Sequence, residues 1–236
     1  MRRAGHVDEQ AVVGALLDAY RQGAFPMAEP RTSRVEFYTA DPRGLLPLNE
    51  SPDEHGRCFH IPERLERTMR RHRFELTCDT AFEDVMKACR DVRPRSERWI
   101  NQTIIAWYAA LHRAGHAHSV EAWCNDPATG ERALVGGVYG VSMGSAFFGE
   151  SMFVRPRQRR PDGSRDPLDG TDASKVCLVT LVRHLRACGF ELFDTQMVTE
   201  HVGRFGGREL PAAEYLPMLK RAVAHPHRWQ PLGDAG

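Results

Sequence analysis

The segment GGVYGVSMGSAFFGESMF, residues 136–153, decides the fold of this chain. Two apolar runs flank the turn-forming triplet Met143-Gly144-Ser145, so the sequence predicts two antiparallel strands, Arg132–Met143 and Ser145–Phe153. Five glycines punctuate these strands. Glycine weakens a strand unless a bulge or a closely approaching ligand needs the space. The hairpin is therefore the first candidate for a functional region.

The elements on either side of the hairpin predict an α+β fold. A third strand, His118–Cys124, precedes the hairpin across the turn Asp126–Gly130, which predicts an antiparallel meander. The remaining predicted elements are a helix over 61–73, a strand over 74–78, helices over 81–90 (capped by Thr80) and 104–114 (capped by Asn101), a long helix from Asp172 or Ser174 to Cys188, a strand over 190–194, and helical pieces near 201–205 and 212–223. This order indicates helices packed around a mixed sheet, in which the long helix permits a crossover to a parallel neighbour.

The N-terminal part of the sequence differs from the rest in composition and periodicity. Asp8–Arg21 has apolar residues at helical spacing, and residues 25–47 are rich in proline and turn residues around the short apolar piece Val35–Tyr38. Residues 49–57, NESPDEHGR, have turn composition and no periodicity. We therefore predict a small N-terminal domain over residues 1–57 and a larger second domain over residues 58–236.

Composition and charge exclude several classes of protein. The 236 residues carry 32 Lys and Arg against 31 Asp and Glu, a net charge of +1, so the chain is not basic throughout. No stretch approaches the roughly 18 apolar residues of a membrane span, and the first residues lack the apolar core of a secretory signal. The six cysteines form no C-x-x-C pair, which argues against a zinc ribbon and suits reduced thiols. We expect a cytoplasmic protein.

Three acidic or amide side chains are candidates for chemistry. Glu150 follows two phenylalanines, so it either faces solvent by strand alternation or lies half-buried and needs a cationic partner. Asp194 ends an apolar strand, and Gln196 lies two residues on, so both can point to one side. Such an acid could hold the Gln amide toward a ligand, although a strand-end Asp that forms a turn is common.

Metal binding and serine hydrolysis have weaker support. His116 and His118 have the spacing of metal ligands on a strand, but no third ligand is evident nearby, which favours a surface pair. Ser151 and Ser174 lack the G-x-S-x-G context of a serine hydrolase. No metal site is predicted.

Two clusters of arginine stand out against the near-neutral total. Residues 61–73 hold five Arg and two Glu, and residues 155–165 hold five Arg and one Asp. Guanidinium groups match the oxygens of phosphates, so both clusters suit a nucleic-acid backbone. The alternatives are a solvated helix face for the first cluster and a flexible loop for the second.

Several strings, in order, resemble a known family. They are YRQGAFP (20–26), DPR (41–43), WI (99–100), Tyr108, His112, GHAHSVE (115–121), GGVYG (136–140), GESMF (149–153), ASK (173–175) and DTQ (194–196). Together they resemble the leucyl/phenylalanyl-tRNA–protein transferases, from about Ala19 to Leu219. The strings GHAHSVE and GESMF are specific to that family. The chain departs from the family pattern at Met27, where a Trp is common, and at Val138 and Phe148, which bear on the donor amino acid.

The resemblance implies a fold and an activity. The fold would be an acetyltransferase-like (GNAT-like) mixed sheet with flanking helices after a small N-terminal domain. The activity would be the transfer of Leu or Phe, with Met a further candidate, from aminoacyl-tRNA to the N-terminal Arg or Lys of a protein, which marks that protein for degradation. The partners would be the 3′ end and acceptor stem of aminoacyl-tRNA and the acceptor proteins, with no cofactor and no membrane. The family is generally monomeric.

The resemblance also implies roles for individual residues. Asp194 would polarise Gln196, which contacts the attacking amine or the reacting carbonyl, and Glu150 would pair with the cation of the acceptor's first residue. The substrate-binding set would comprise Trp99 and Tyr108 at the terminal adenosine, Val138, Phe147, Phe148 and Gly149 at the donor side chain, and Tyr20. The tRNA-binding set would comprise Arg64, Arg67, Arg70 and Arg71.

Two rival functions remain open at this point. The first is a coenzyme A-dependent acetyltransferase, although the sequence RDPLDGTD before Ala173 places acids where a pyrophosphate loop would be expected. The second is a non-catalytic module that binds tRNA or N-termini, for which Asp194 and Gln196 would be dispensable.

Overall fold

The computed structural model describes residues 8–53, 56–156, 159–160, 162–226 and 229–231. The strands are β1 (Phe25–Ala28), β2 (Val35–Tyr38), β3 (Arg43–Leu45), β4 (Glu75–Cys78), β5 (Ala117–Asn125), β6 (Arg132–Met143), β7 (Ala146–Val154), β8 (Leu192–Gln196) and β9 (Arg208–Leu210). The helices are α1 (Glu9–Arg21), α2 (Glu63–Arg70), α3 (Phe82–Asp91), α4 (Gln102–Arg113), α5 (Ala173–Ala187), α6 (Glu200–Gly203) and α7 (Ala212–Ala224). A short 3₁₀ turn spans Arg95–Glu97.

Seven of these strands form one mixed sheet. Its spatial order is β4-β5-β6-β7-β8-β3-β9, and β1 and β2 form a separate two-stranded sheet. The pairings in the large sheet are antiparallel except for β7 and β8, which run parallel and are connected through α5. The predicted α+β class, the meander and the parallel crossover are confirmed.

Helices cover both faces of the large sheet and create two apolar layers. One layer contains Tyr20, Tyr108, Tyr139 and Phe148 together with residues of α3 and α7. The other layer contains Phe147 and the buried face of α5, with Leu65 of α2 at its side. Neighbouring residues of a strand point to opposite faces, which is why Phe147 and Phe148 belong to different layers.

Several local predictions need correction. Asn101 caps α4 with its side-chain oxygen, as predicted, and Asp8, predicted as the first residue of a helix, is the N-cap of α1. Thr80 was the wrong choice of cap, because its hydroxyl bonds to Thr77 and Glu121 while Ala81 occupies the N-cap position of α3. The helix predicted over 61–73 ends earlier, at Arg70.

The strands β3 and β9 have three residues each, too few to be recognised from alternation, and β1 contains Pro26, which argues against a strand. β3 lies within residues 1–57, yet it pairs with β8 and β9 in the large sheet. A three-residue strand is stabilised by its two neighbours rather than by its own pattern. The domain boundary at residue 57 stays a prediction.

One member of the histidine pair, His118, does not lie on the surface, while His116 is half-buried. His118 is only 5% exposed, its Nδ1 lies 2.8 Å from an Asp79 carboxylate oxygen, and its ring stacks on Trp229 at a centroid distance of 3.8 Å. A side-chain carboxylate and an aromatic ring therefore hold this histidine in the core. The described residues contain no cluster of His, Cys, Asp and Glu that could hold a metal ion. Among the described helices, none has the length and apolarity to cross a membrane.

Candidate active site

A β-bulge places Glu150 out of register with its neighbours. Gly140 of β6 pairs with Gly149, whereas the preceding residue, Tyr139, pairs with Ser151, so Glu150 is the extra residue of β7. Glycine is required at both bulge positions. A Cβ atom on Gly140 would lie 2.2 Å from the Phe148 carbonyl oxygen, and one on Gly149 would lie 2.6 Å from the Phe193 ring. A bulge redirects the side chain that it inserts, which here is the Glu150 carboxylate.

The Glu150 carboxylate accepts hydrogen bonds from two different parts of the chain. The Tyr20 hydroxyl of α1 donates to Glu150 Oε1 at 2.6 Å, and the Gln196 amide of β8 donates to the same oxygen at 3.2 Å. The Tyr20 and Tyr108 hydroxyls are hydrogen-bonded to each other. Within the described residues, no Arg, Lys or His side chain forms an ion pair with Glu150. The carboxylate is therefore held by neutral donors.

Burial sets the protonation of this group. Removal from water raises the pKa of the Glu150 carboxyl to about 7, and the hydrogen bonds from the Tyr20 and Tyr108 hydroxyls act against that rise. Burial also raises the pKa of both tyrosines well above its usual value, so these hydroxyls keep their protons. Glu150 is consequently the group of this cluster that changes charge near neutral pH.

Asp194 lies beside this cluster in a fully buried ion pair. Arg43 donates from Nε to both Asp194 oxygens at 2.8 and 3.0 Å, and from Nη2 at 2.8 Å. The Tyr215 hydroxyl and the backbone N–H of Gln196 also donate to this carboxylate. Arg43 and Asp194 are 1% and 0% exposed. These donors cover both carboxylate oxygens, which is the condition under which a buried ion pair is tolerated.

The contact between Asp194 and Gln196 differs from the expected one. Asp194 accepts the Gln196 backbone N–H at 2.8 Å, whereas the side-chain amide donates to Glu150. Gln196 has a φ of 59°, in the left-handed region, and the bond that its backbone N–H donates to Asp194, two residues earlier, stabilises this conformation. Left-handed non-glycine residues are concentrated at functional sites because the surrounding structure must hold them there.

An apolar cavity of about 390 Å³ opens next to Glu150. Val138 and Gly149 line it, together with apolar side chains that include Met152, Leu178 and Phe193. The cavity thus joins a hydrophobic wall to one titratable carboxylate, which suits a ligand with an apolar side chain and a cationic or amine group.

Comparison with known proteins adds an independent observation. The family model described as leucyl/phenylalanyl-tRNA protein transferase matches residues 55–220. The chain is 46% identical over 208 residues to the leucyl/phenylalanyl-tRNA–protein transferase of Akkermansia muciniphila, covering 88% of this chain and 94% of that protein. It is 47% identical to the protein of the same name from Phenylobacterium zucineum, covering 93% of this chain and 88% of that protein.

The chain belongs to the leucyl/phenylalanyl-tRNA protein transferase family. It is accordingly a transferase, and neither the coenzyme A-dependent acetyltransferase nor the non-catalytic module is favoured. Among solved structures, the chain is similar to a tandem GNAT protein from the clavulanic acid biosynthesis pathway, with a TM-score of 0.33 and 13% identity over 88% of this chain and 68% of that one.

The two phenylalanines expected at the donor pocket of this transferase lie in its core. Phe147 is fully buried and packs edge-on against Phe193 at a centroid distance of 5.4 Å. Phe148 is fully buried on the opposite face, 4.8 Å from the Tyr20 ring. Neither lines the cavity beside Glu150, so any influence on the donor side chain would act through the residues that they support. Their predicted role is untested.

The two residues expected at the terminal adenosine differ in how much of their side chains is exposed to solvent. Trp99 is half-buried before α4, and its carbonyl accepts the Ala28 N–H of β1 at 2.9 Å. Tyr108 is fully buried, with its ring edge-on to Tyr139. A base could reach the Trp99 ring from solvent, whereas stacking on Tyr108 would require its neighbours to move. The Tyr108 hydroxyl instead belongs to the hydrogen-bonded cluster that contains Tyr20 and Glu150.

The predicted tRNA-binding arginines lie on one exposed element of the transferase. The four side chains are exposed on α2 or at its end: Arg64, Arg67, Arg70 and Arg71. Arg70 pairs with Glu66 at 3.1 Å in a solvent-exposed i, i+4 contact. Of the second cluster, Arg160 pairs with Asp126 and Arg165 pairs with Asp169, while residue 157 lies outside the described residues.

Sequence reasoning missed Arg43 and Tyr215 as partners of Asp194. Arg43 did lie in the DPR string that carries the family resemblance, and that string was the available signal. Tyr215 gave no signal, because a Tyr at helical spacing in α7 reads as an ordinary core residue.

Proposed function

We propose that this protein transfers Leu or Phe, with Met a further candidate, from aminoacyl-tRNA to the N-terminal Arg or Lys of acceptor proteins. The product would carry a destabilising N-terminus, and the enzyme would act in the cytoplasm as a monomer. The observation that carries this proposal is a half-buried carboxylate, Glu150, which lacks an ion-pair partner among the described residues and borders an apolar cavity.

The two features of the site match the two substrates. The apolar cavity beside Val138 and Gly149 takes the donor side chain, which fixes the aminoacyl ester next to Glu150. The acceptor then supplies the positive charge that Glu150 lacks, through the guanidinium or ammonium group of its first residue. Such charge-assisted bonds are stronger than neutral ones, so an acceptor with N-terminal Arg or Lys is preferred.

The reaction needs no covalent enzyme intermediate, because the ester is already activated. The acceptor amine attacks the ester carbonyl, a C–N bond forms, the C–O bond to the ribose breaks, and the ribose oxygen takes the proton that the amine loses. Holding the two substrates together supplies several kcal/mol of the rate acceleration. The Gln196 amide, fixed through the Asp194–Arg43 pair, lies beside Glu150 and would contact the reacting amine or carbonyl.

The tRNA contacts lie outside the cavity. The Trp99 ring would stack on the terminal adenine, since aromatic rings accept a nucleobase of any sequence. The exposed arginines of α2 would contact phosphates of the acceptor stem, which adds affinity without selecting the amino acid.

A transfer assay tests the proposal. Radiolabelled leucyl-tRNA is mixed with a peptide that begins with Arg, and with the same peptide acetylated at its N-terminus as the matched control. We expect label only in the free-amine peptide, and a strong loss in Gln196→Ala. Label supplied as acetyl-coenzyme A instead of leucyl-tRNA should stay out of the peptide. Transfer from acetyl-coenzyme A, or none from leucyl-tRNA, would contradict the proposal.

A further inference from the structure

The loop between α3 and α4 brings a second charged side chain to the cavity beside Glu150. Arg93 lies two residues after the end of α3 and lines this cavity together with Val92. Its side chain is half-buried. The Arg98 side chain holds the loop, because its Nε donates to the Arg93 carbonyl at 3.0 Å. The backbone of Arg93 is therefore held at the cavity wall.

Two buried groups near this wall feel the positive charge of Arg93. Burial raises the pKa of the Cys89 thiol to about 12, and the Ser151 hydroxyl and, more weakly, the positive charge of Arg93 act against that rise. Burial likewise raises the pKa of the Tyr139 hydroxyl, and the Arg93 charge again opposes it, as the weakest of the influences there. Both effects agree with the place of Arg93 at the cavity wall, near Cys89 of α3 and Tyr139 of β6.

No described carboxylate neutralises this charge. Glu150 lines the same cavity, but its hydrogen bonds go to Tyr20 and Gln196. His201 is the other titratable side chain among the described lining residues, and burial lowers its pKa, which keeps it neutral. A cation beside an apolar wall without an acidic partner is a ready site for an anion with several acceptor oxygens.

We propose that Arg93 binds the 5′-phosphate group of the terminal adenosine of the aminoacyl-tRNA. This inference rests on the proposed function, which fixes the ester beside Glu150 and the adenine on Trp99. Arg93 and Trp99 lie in the same segment between α3 and α4, and Arg93 lines the same cavity as Glu150. For a nucleotide with its base on Trp99 and its 3′-ester at Glu150, we therefore assign the phosphate to Arg93. The planar guanidinium fork matches two phosphate oxygens, which an ammonium does not.

Binding and transfer with minimal ligands test this assignment in the full-length protein. The first measurement compares 5′-AMP with adenosine by titration calorimetry. The second compares 3′-O-leucyl-adenosine with the same ester carrying a 5′-phosphate, as donors to a peptide that begins with Arg. The variants are Arg93→Ala and Arg93→Lys. Arg95→Ala is the matched control, because Arg95 is an exposed arginine of the same loop that does not line the cavity. Thermal unfolding of each variant reports whether it is folded.

We expect wild type and Arg95→Ala to favour the phosphorylated ligands by about tenfold or more, the range of a charge-assisted hydrogen bond. Arg93→Ala should lose that preference while it handles adenosine and its leucyl ester as wild type does, and Arg93→Lys should keep only part of it. An equal preference in Arg93→Ala and wild type, or no preference in wild type, would overturn the assignment. If wild type binds 5′-AMP through Arg93 but transfers leucine from neither ester nor leucyl-tRNA, the proposed function fails and the phosphate contact stands.

Discussion

The site on β7 and β8 and the arginine face of α2 hold charges in opposite ways. Asp194 and Arg43 have 0% and 1% exposure and contact each other at 2.8 Å, whereas the α2 arginines are exposed and one of them pairs with a glutamate on its own helix. A buried charge without its partner is costly, so each partner in the site is specific. An exposed charge is hydrated and screened by salt, so each α2 arginine contributes little by itself and the arginines act on a ligand together. The two regions should therefore respond to mutation on different scales.

The largest expected effect lies in the buried pair. Asp194→Ala leaves Arg43 buried without a counter-charge, so we expect the free energy of unfolding to fall by about 3–5 kcal/mol. Urea titration measures this loss. The matched control is Asp18→Ala, because Asp18 pairs with Arg21 on the surface, where a pair contributes about 0–1 kcal/mol. Equal losses in the two variants would show that burial does not separate the two regions.

Gln196→Ala is compared with Asp194→Ala, since it removes an amide from the site but leaves no buried charge without its partner. We expect its unfolding free energy to stay close to that of wild type while transfer falls strongly. If Asp194 acts on the reaction through Gln196, the double variant should transfer little worse than either single one. Additive losses in transfer would mean that the two side chains act independently.

The next effect concerns the acceptor. Glu150→Gln keeps the size of the side chain and removes its charge, so we expect the preference for N-terminal Arg or Lys over neutral residues to narrow. The loss corresponds to about 1.5–3 kcal/mol, or roughly ten- to over a hundredfold. Peptides that differ only in the first residue measure it. Aminoacyl-tRNA affinity should stay nearly unchanged, and an unaltered preference ratio would assign Glu150 to structure or to the donor.

The same substitution has a pH signature. Because burial raises the pKa of Glu150 to about 7, the carboxylate is lost as the pH falls through that value, and the preference of wild type for N-terminal Arg should weaken with it. Glu150→Gln should show no such change between pH 6 and 8. The folded protein binds this proton more tightly than the unfolded chain, so the group favours folding at low pH and loses that contribution as the pH rises toward 7.

The smallest expected effect per residue lies on α2. Replacing Arg67 and Arg71 with Ala should weaken tRNA binding whatever amino acid is attached, and lower the slope of log affinity against log salt by about 1–2. Filter binding over a range of salt concentrations measures the slope. Arg113→Ala serves as the control, since Arg113 is an exposed arginine of α4 that pairs with Glu9. If the slope is unchanged both in the Arg67 and Arg71 double variant and in Arg113→Ala, the α2 arginines are a solvated helix face that does not contact tRNA phosphates.

The two regions also differ in how far their features could be predicted from the sequence. The α2 arginines were visible as a composition bias, because an exposed helix face needs no partner to form. Glu150 was visible only as a choice between an exposed and a half-buried carboxylate. The bulge that decided between them depends on the pairing of Gly140 with Gly149, which alternation along a single strand does not encode.

The sequence by itself determined the elements whose information is local. The hairpin turn at Gly144, the caps at Asp8 and Asn101 and the crossover helix α5 follow from residue types a few positions apart. It also determined the family, because motifs such as GHAHSVE and GESMF are contiguous in the sequence and can be recognised without the structure.

Only the tertiary structure decided which distant side chains meet. Tyr20 reaches Glu150 across 130 positions of the chain, and Arg43 reaches Asp194 across 151. No regular spacing in the sequence predicts such contacts, since they are created by the packing of α1 and β3 onto the sheet. The cost of leaving a charge or a hydroxyl unpaired in that packed interior then fixes which partners are present.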